Sequence, residues 1–209
     1  GFLVHGQVAR CLLRMAVAGL DRQEYVAVMQ DLLIQEPHSA PFGIPWTLGV
    51  LMQRLLGDDV TDVFDPSADA GVLPVLLATR KSAAISATGL FYSSLGRMAA
   101  MLQARIIGGH LDAFNATVST DHARLPERFG HCISVPPFAG KPKGRMAGHN
   151  EAQALHAVEA YELVINQAIK RLAPNGTAVI LVPESMLFSS ARAYTRKYIM
   201  ELGVLKGVI

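Results

Sequence analysis

A chain of 209 residues, 51% of them apolar, can bury one full-sized core with room for a small accessory subdomain, which excludes two independent large domains. Mean hydropathy is +0.29, yet no window reaches the roughly 18 consecutive apolar residues of a membrane-spanning helix, so no membrane partner is expected. A net charge of +2 is too small for bulk electrostatics to announce a nucleic-acid partner, and a local patch has to carry that case.

In chain order, Gly1 to His5 lack the basic flank, apolar stretch and cleavage site of a secretory signal, and the chain reads as cytoplasmic. Apolar side chains at helical spacing run from about His5 to Leu20. Asp21 with Glu24 has the form of a capping box opening a second helix through Ile34, which Pro37 stops. The turn Pro41-Phe42-Gly43-Ile44-Pro45 leads into a third helix bearing Leu48, Leu51, Leu55 and Leu56. Residues 1–40 therefore read as a helical extension, and 41–209 as the principal domain.

From there the pattern becomes strand, turn, helix. Strands are predicted at Val60 to Phe64, Ala83 to Thr88, Asn115 to Ser119, His131 to Ser134, Thr177 to Val182 and Leu205 to Ile209. One helix follows Ser94 through Ile107. Another, capped by Asn150, presents Leu155, Val158, Glu162, Ile165, Ile169 and Leu172 on one face before Pro174-Asn175-Gly176 ends it. Alternation of this kind implies parallel pairing with right-handed crossovers, hence an α/β, doubly wound, mostly parallel sheet. Ligands in such sheets bind beyond the carboxyl ends of the strands, so the chemistry is sought just after Phe64, Thr88, Ser119 and Ser134.

Those segments carry a consistent set of signals. Asp65-Pro66-Ser67-Ala68-Asp69-Ala70-Gly71 is a small-residue turn that opens the apolar helix Val72 to Thr79. Gly89-Leu90-Phe91-Tyr92-Ser93-Ser94 follows the second strand. Phe129-Gly130-His131-Cys132-Ile133-Ser134-Val135-Pro136-Pro137-Phe138 is a strand ending in Pro-Pro-Phe. Finally, Arg171 to Phe188 combines a helix end, a Pro-Asn-Gly turn, an apolar strand, a proline and Leu-Phe. In this order and spacing, from about Pro41 to Ile209, they resemble the N6-adenine DNA methyltransferases, in particular the modification subunits of type I restriction systems.

The resemblance implies a Rossmann-like class I S-adenosylmethionine-dependent methyltransferase fold. It implies S-adenosylmethionine as cofactor, held by Asp65, Pro66, Gly71 and Asp121, and DNA and a specificity or partner methyltransferase subunit as partners. Phe42-Gly43-Ile44-Pro45 stands where the family has a phenylalanine and a Thr-Pro that closes over the cofactor. The family's asparagine before Pro-Pro-Phe, which accepts hydrogen bonds from the target amino group, is Val135 here, followed by Pro136, Pro137 and Phe138, whose ring would stack on a flipped base. Its aspartate early in that strand is Gly130. Its acidic ribose ligand is Phe91, which accepts no hydrogen bond from a vicinal diol, and one of its two motif I glycines is Asp69. Ser134 lies one residue too early to replace the asparagine.

The loop Lys141-Pro-Lys143-Gly-Arg145 concentrates positive charge without an acidic neighbour and is the candidate phosphate contact. Seven histidines and two cysteines, Cys11 and Cys132, show no metal-ligand or disulfide spacing, so no metal is expected and both thiols are read as reduced. The expectation is a non-catalytic methyltransferase-like module, a scaffold or DNA-binding subunit of a modification, restriction or mobile-element system. The alternative is an active DNA adenine methyltransferase with unusual motifs.

Overall fold

The computed structural model describes residues 44, 46–68, 86–91, 94–106, 110–115, 125–136, 138 and 159–209, together with the single positions 14, 18, 19, 24, 73 and 77. Its elements are α1 (Trp46–Leu56), β1 (Asp62–Asp65), β2 (Ser86–Phe91), α2 (Ser94–Ile106), β3 (His110–Asn115), β4 (Phe129–Ser134), α3 (Ala160–Arg171), β5 (Leu172–Ile180), the single turn α4 (Ser185–Phe188), a 3-10 turn (Ser190–Arg192) and α5 (Ala193–Glu201). The five strands form one sheet in the order β3-β2-β1-β4-β5. Every neighbouring pair is parallel. The doubly wound α/β sheet predicted from strand and helix alternation is the observed one.

Burial follows position in the sheet. β1 is central, and Val63 and Phe64 are fully buried on its two faces. The Phe64 and Phe129 rings stack at 4.6 Å across β1 and β4, in a core completed by Leu90, Leu125, Cys132 and Ala168. β3 lies at an edge and alternates exposed His110 and Asp112 with Leu111 and Ala113, which pack inward. That alternation explains why the strand predicted at Asn115 to Ser119 is found earlier: an edge strand keeps polar residues on its open face, and His110 to Asn115 does not read as a continuous apolar run. Residues 116–119 lie outside the described residues.

Other boundaries shift for identifiable reasons. α1 buries Met52, Gln53 and Leu56 while Leu51 and Leu55 are exposed, so the third helix is present with a different buried face. Gly57, at φ +97, ends it in a conformation that side-chain-bearing residues avoid. The helix predicted from Asn150 is not continuous, because Glu159 is extended (φ −119, ψ 152) and caps α3. Glu162, expected on the apolar face, is buried by a polar network. It accepts the Glu159 amide at 3.1 Å, the Arg192 guanidinium at 3.2 Å and the Thr195 hydroxyl at 2.7 Å. Arg192 also pairs with Glu159 at 3.2 Å and lies over the Tyr161 ring. The network fastens the segment after β5 onto α3.

Pro174-Asn175-Gly176 does not precede β5 but interrupts it. Phe129 pairs with Leu172 and His131 with Thr177, so the β5 side carries extra residues that loop outward, with Asn175 at φ +65. Leu205 to Ile209, predicted as a strand, takes no place in the sheet. It lies exposed beside β5, where the Lys206 ammonium donates to Thr177 Oγ1 at 3.1 Å. Within the 1–40 extension only Arg14, Ala18, Gly19 and Glu24 are described; Arg14 and Glu24 are helical and the Ala18 amide donates to the Arg14 carbonyl at 2.8 Å. No helix of the described residues is long and apolar enough to cross a membrane.

Candidate functional site

The strand order reverses between β1 and β4, and in an open parallel sheet the crevice beyond the carboxyl ends at such a point is where ligands bind. Two buried polar residues meet there. Asp65 closes β1, and its Oδ1 accepts the Ser67 amide at 2.9 Å and the Ser134 hydroxyl at 2.7 Å. Pro66, Ser67 and Ala68 follow, all buried, and the Ala68 amide donates to the Leu90 carbonyl at 3.0 Å. Both described amides of the turn are thus engaged within the protein. Gly71 lies outside the described residues, as do Asp69 and Asp121.

At the end of β4, Ser134 is fully buried and its carbonyl accepts the Leu181 amide at 3.0 Å. Its hydroxyl is committed to Asp65. Val135 is half-buried, Pro136 buried and Phe138 46% exposed. Pro137 and the basic residues Lys141, Lys143 and Arg145 lie outside the described residues. Within β4, burial pushes the Cys132 thiol well above its ordinary value and the Asp65 carboxylate adds to the shift, which keeps the thiol protonated.

Phe91 is fully buried and packs with Ala68 and Ala100 against Leu111 and Ala113. A Cβ on Gly89 would stand 2.8 Å from its ring and 2.9 Å from the Ala68 side chain, so that glycine is required by the ring. The described residues that pack on its ring, Ala68, Ala100, Leu111 and Ala113, are aliphatic. The ribose end of S-adenosylmethionine needs an acceptor for two hydroxyls, and neither the Phe91 ring nor these four side chains supplies one.

Gly130 has its own compensation, which sequence reading missed. Both Asp62 carboxylate oxygens accept the Gly130 amide, at 3.0 and 3.1 Å, and a Cβ on Gly130 would come within 2.6 Å of Asp62 Oδ1. An aspartate at position 130 would put two carboxylates together, whereas here β1 supplies the carboxylate to β4. The two acidic ends of Asp62-Val63-Phe64-Asp65 were the available signal. Among the described residues no group of three or more His, Cys, Asp or Glu side chains is placed to hold a metal ion.

A five-stranded parallel sheet of this order, flanked by helices and with its switch point at Asp65 and Ser134, is the Rossmann-like fold of class I S-adenosylmethionine-dependent methyltransferases. The solved structures it resembles agree. The type I restriction-modification methyltransferase subunit of Streptococcus thermophilus matches with a TM-score of 0.65 and 17% identity, over 78% of this chain and 39% of that one. A Listeria monocytogenes protein assigned as a class I S-adenosylmethionine-dependent methyltransferase matches at 0.67 and 18%, over 87% of this chain and 60% of that one. A chain from a type I restriction-modification assembly matches at 0.64 and 18%, over 83% and 39%. The chain thus spans less than two thirds of each. No protein-family model and no curated protein matches the sequence.

Proposed function

We propose that the protein is a non-catalytic methyltransferase-like module that contributes a DNA-facing scaffold to a DNA modification, restriction or mobile-element system, assembled with a specificity or partner methyltransferase subunit. The observation that carries this reading is Phe91. At the end of β2, where the sequence resemblance puts the acidic ribose ligand, stands an aromatic ring integrated into the core, in a chain whose fold is similar to that of type I restriction-modification methyltransferase subunits. Val135 adds to it, because an adenine amino group facing an aliphatic side chain leaves a donor unsatisfied at a cost of about 1–3 kcal/mol, on the group whose placement permits methyl transfer. The DNA contact falls to the segment after β4, with Phe138 exposed and Lys141, Lys143 and Arg145 following it in sequence.

Titration calorimetry with S-adenosylmethionine, beside tritiated methyl transfer to adenine-rich duplex DNA, tests the proposal. The expected result is weak or no cofactor binding and no transfer. Saturable binding at low micromolar concentration together with transfer establishes instead an active DNA adenine methyltransferase with unusual motifs.

A further inference from the structure

Three strands meet at Ser134. Its hydroxyl reaches Asp65 Oδ1 on β1 at 2.7 Å, and its carbonyl receives the Leu181 amide, just past β5, at 3.0 Å. The same Asp65 oxygen receives the Ser67 amide and so shapes the turn after β1. Both side chains are buried, where a hydroxyl-to-carboxylate bond is strengthened by the charge it carries and by exclusion of water. Beyond Ser134 the sheet ladder stops: Val135 and Pro136 are outside β4, and a proline has no amide with which to extend it. The root of the loop that carries Phe138 is therefore fixed by the last residue of the strand.

We propose that Ser134 is a positioning residue that sets the Val135–Phe138 loop relative to the turn after β1, so that a change at Asp65 is felt at Phe138. The consequence for DNA rests on the reading above that this loop faces the duplex. Its geometry on the strand ends does not.

The test uses the full chain labelled with 4-fluorophenylalanine, with the Phe138 resonance assigned by its loss in Phe138→Leu. Ser134→Ala is expected to shift that resonance, Asp65→Asn to shift it as well, and the double variant to shift it no further than the larger single change. Ser134→Cys, which keeps a donor of similar size, should fall closer to the unaltered protein. Cooperative melting of each variant shows that it is folded; if Asp65→Asn does not fold, the Ala and Cys pair at Ser134 decides. Duplex binding by Ser134→Ala should weaken by about tenfold with an unchanged salt slope, because no phosphate contact is lost. An unmoved Phe138 resonance in folded Ser134→Ala, or strictly additive shifts, overturns the positioning role. If the unaltered protein binds no duplex, the DNA reading fails while the fluorine cycle still decides the role of Ser134.

Discussion

Phe91→Glu places a carboxylate where the proposed reading puts the ribose ligand, and the burial of Phe91 means that the change costs stability first. Removing a buried phenylalanine ring loses about 3–5 kcal/mol of packing and transfer free energy. The new carboxylate would sit among the aliphatic side chains of Ala68, Ala100, Leu111 and Ala113, none of which can donate to it, at a further cost of several kcal/mol. The sum approaches the 5–15 kcal/mol that holds a typical domain together. At about 2–4 °C per kcal/mol for a chain of this size, the midpoint should fall by about 10–30 °C. The loss has a pH signature. A carboxyl buried in apolar surroundings has its folded-state pKa raised, so it contributes most favourably below its unfolded value near 4.3 and loses that contribution as pH rises towards the folded value. Melting followed by circular dichroism should therefore show a smaller deficit at pH 5 than at pH 7.5. A variant that melts within about 5 °C of the unaltered protein at both pH values would refute the reasoning and reopen the position as a ligand site.

Arg192→Met should destabilise by about 3–5 kcal/mol in urea denaturation, because it removes the guanidinium paired with the Glu162 carboxylate, which is 1% exposed; Glu162→Gln in the same background should recover part of that loss. Gly130→Ala should cost about 1–3 kcal/mol by the same measurement, since the added Cβ falls 2.6 Å from Asp62 Oδ1 and displaces an acceptor of the strand amide; a neutral result would show that Asp62 swings away freely. Replacing Lys141, Lys143 and Arg145 by alanine should weaken duplex binding for all sequences alike and flatten its salt dependence in gel-shift titration, and an unchanged slope counts against that loop.

The sheet was legible because its signals are local and repeated. Val63-Phe64 and Cys132-Ile133 are short apolar runs followed by turns, as central parallel strands must be when both faces are covered. Legibility fell at the margins. β3 mixes His110 and Asp112 with apolar residues because one side of it is open. Leu205 to Ile209 has strand-like composition yet takes no place in the sheet, and composition carries no information about the neighbour a strand needs. Glu162 on an apolar helix face read as packing, although its side-chain partners Arg192 and Thr195 lie thirty and more residues away. At the candidate site, sequence identified which groups stand in unusual positions but could not identify what meets them, since Asp62 against Gly130 and Ser134 against Asp65 are contacts between strands distant in sequence.

Those cross-strand contacts bear on why the departures from the methyltransferase pattern belong together. Phe91 is accommodated by Gly89 and Ala68, which leave room for its ring, and Gly130 is accommodated by Asp62, whose carboxylate lies where a side chain at 130 would begin. Gly176 extends the second set, because a Cβ there would meet the Gly130 carbonyl at 2.7 Å. A polar pocket lost piecemeal would leave voids or unpaired groups, and each such defect costs on the order of 1 kcal/mol or more. Phe91 and Gly130 each have a complement that fills the space or takes the hydrogen bond, so these two local choices agree with the packing around them. Val135, half-buried beyond the last strand position, stands outside both of these sets, so Val135→Asn is the change expected to cost the core least.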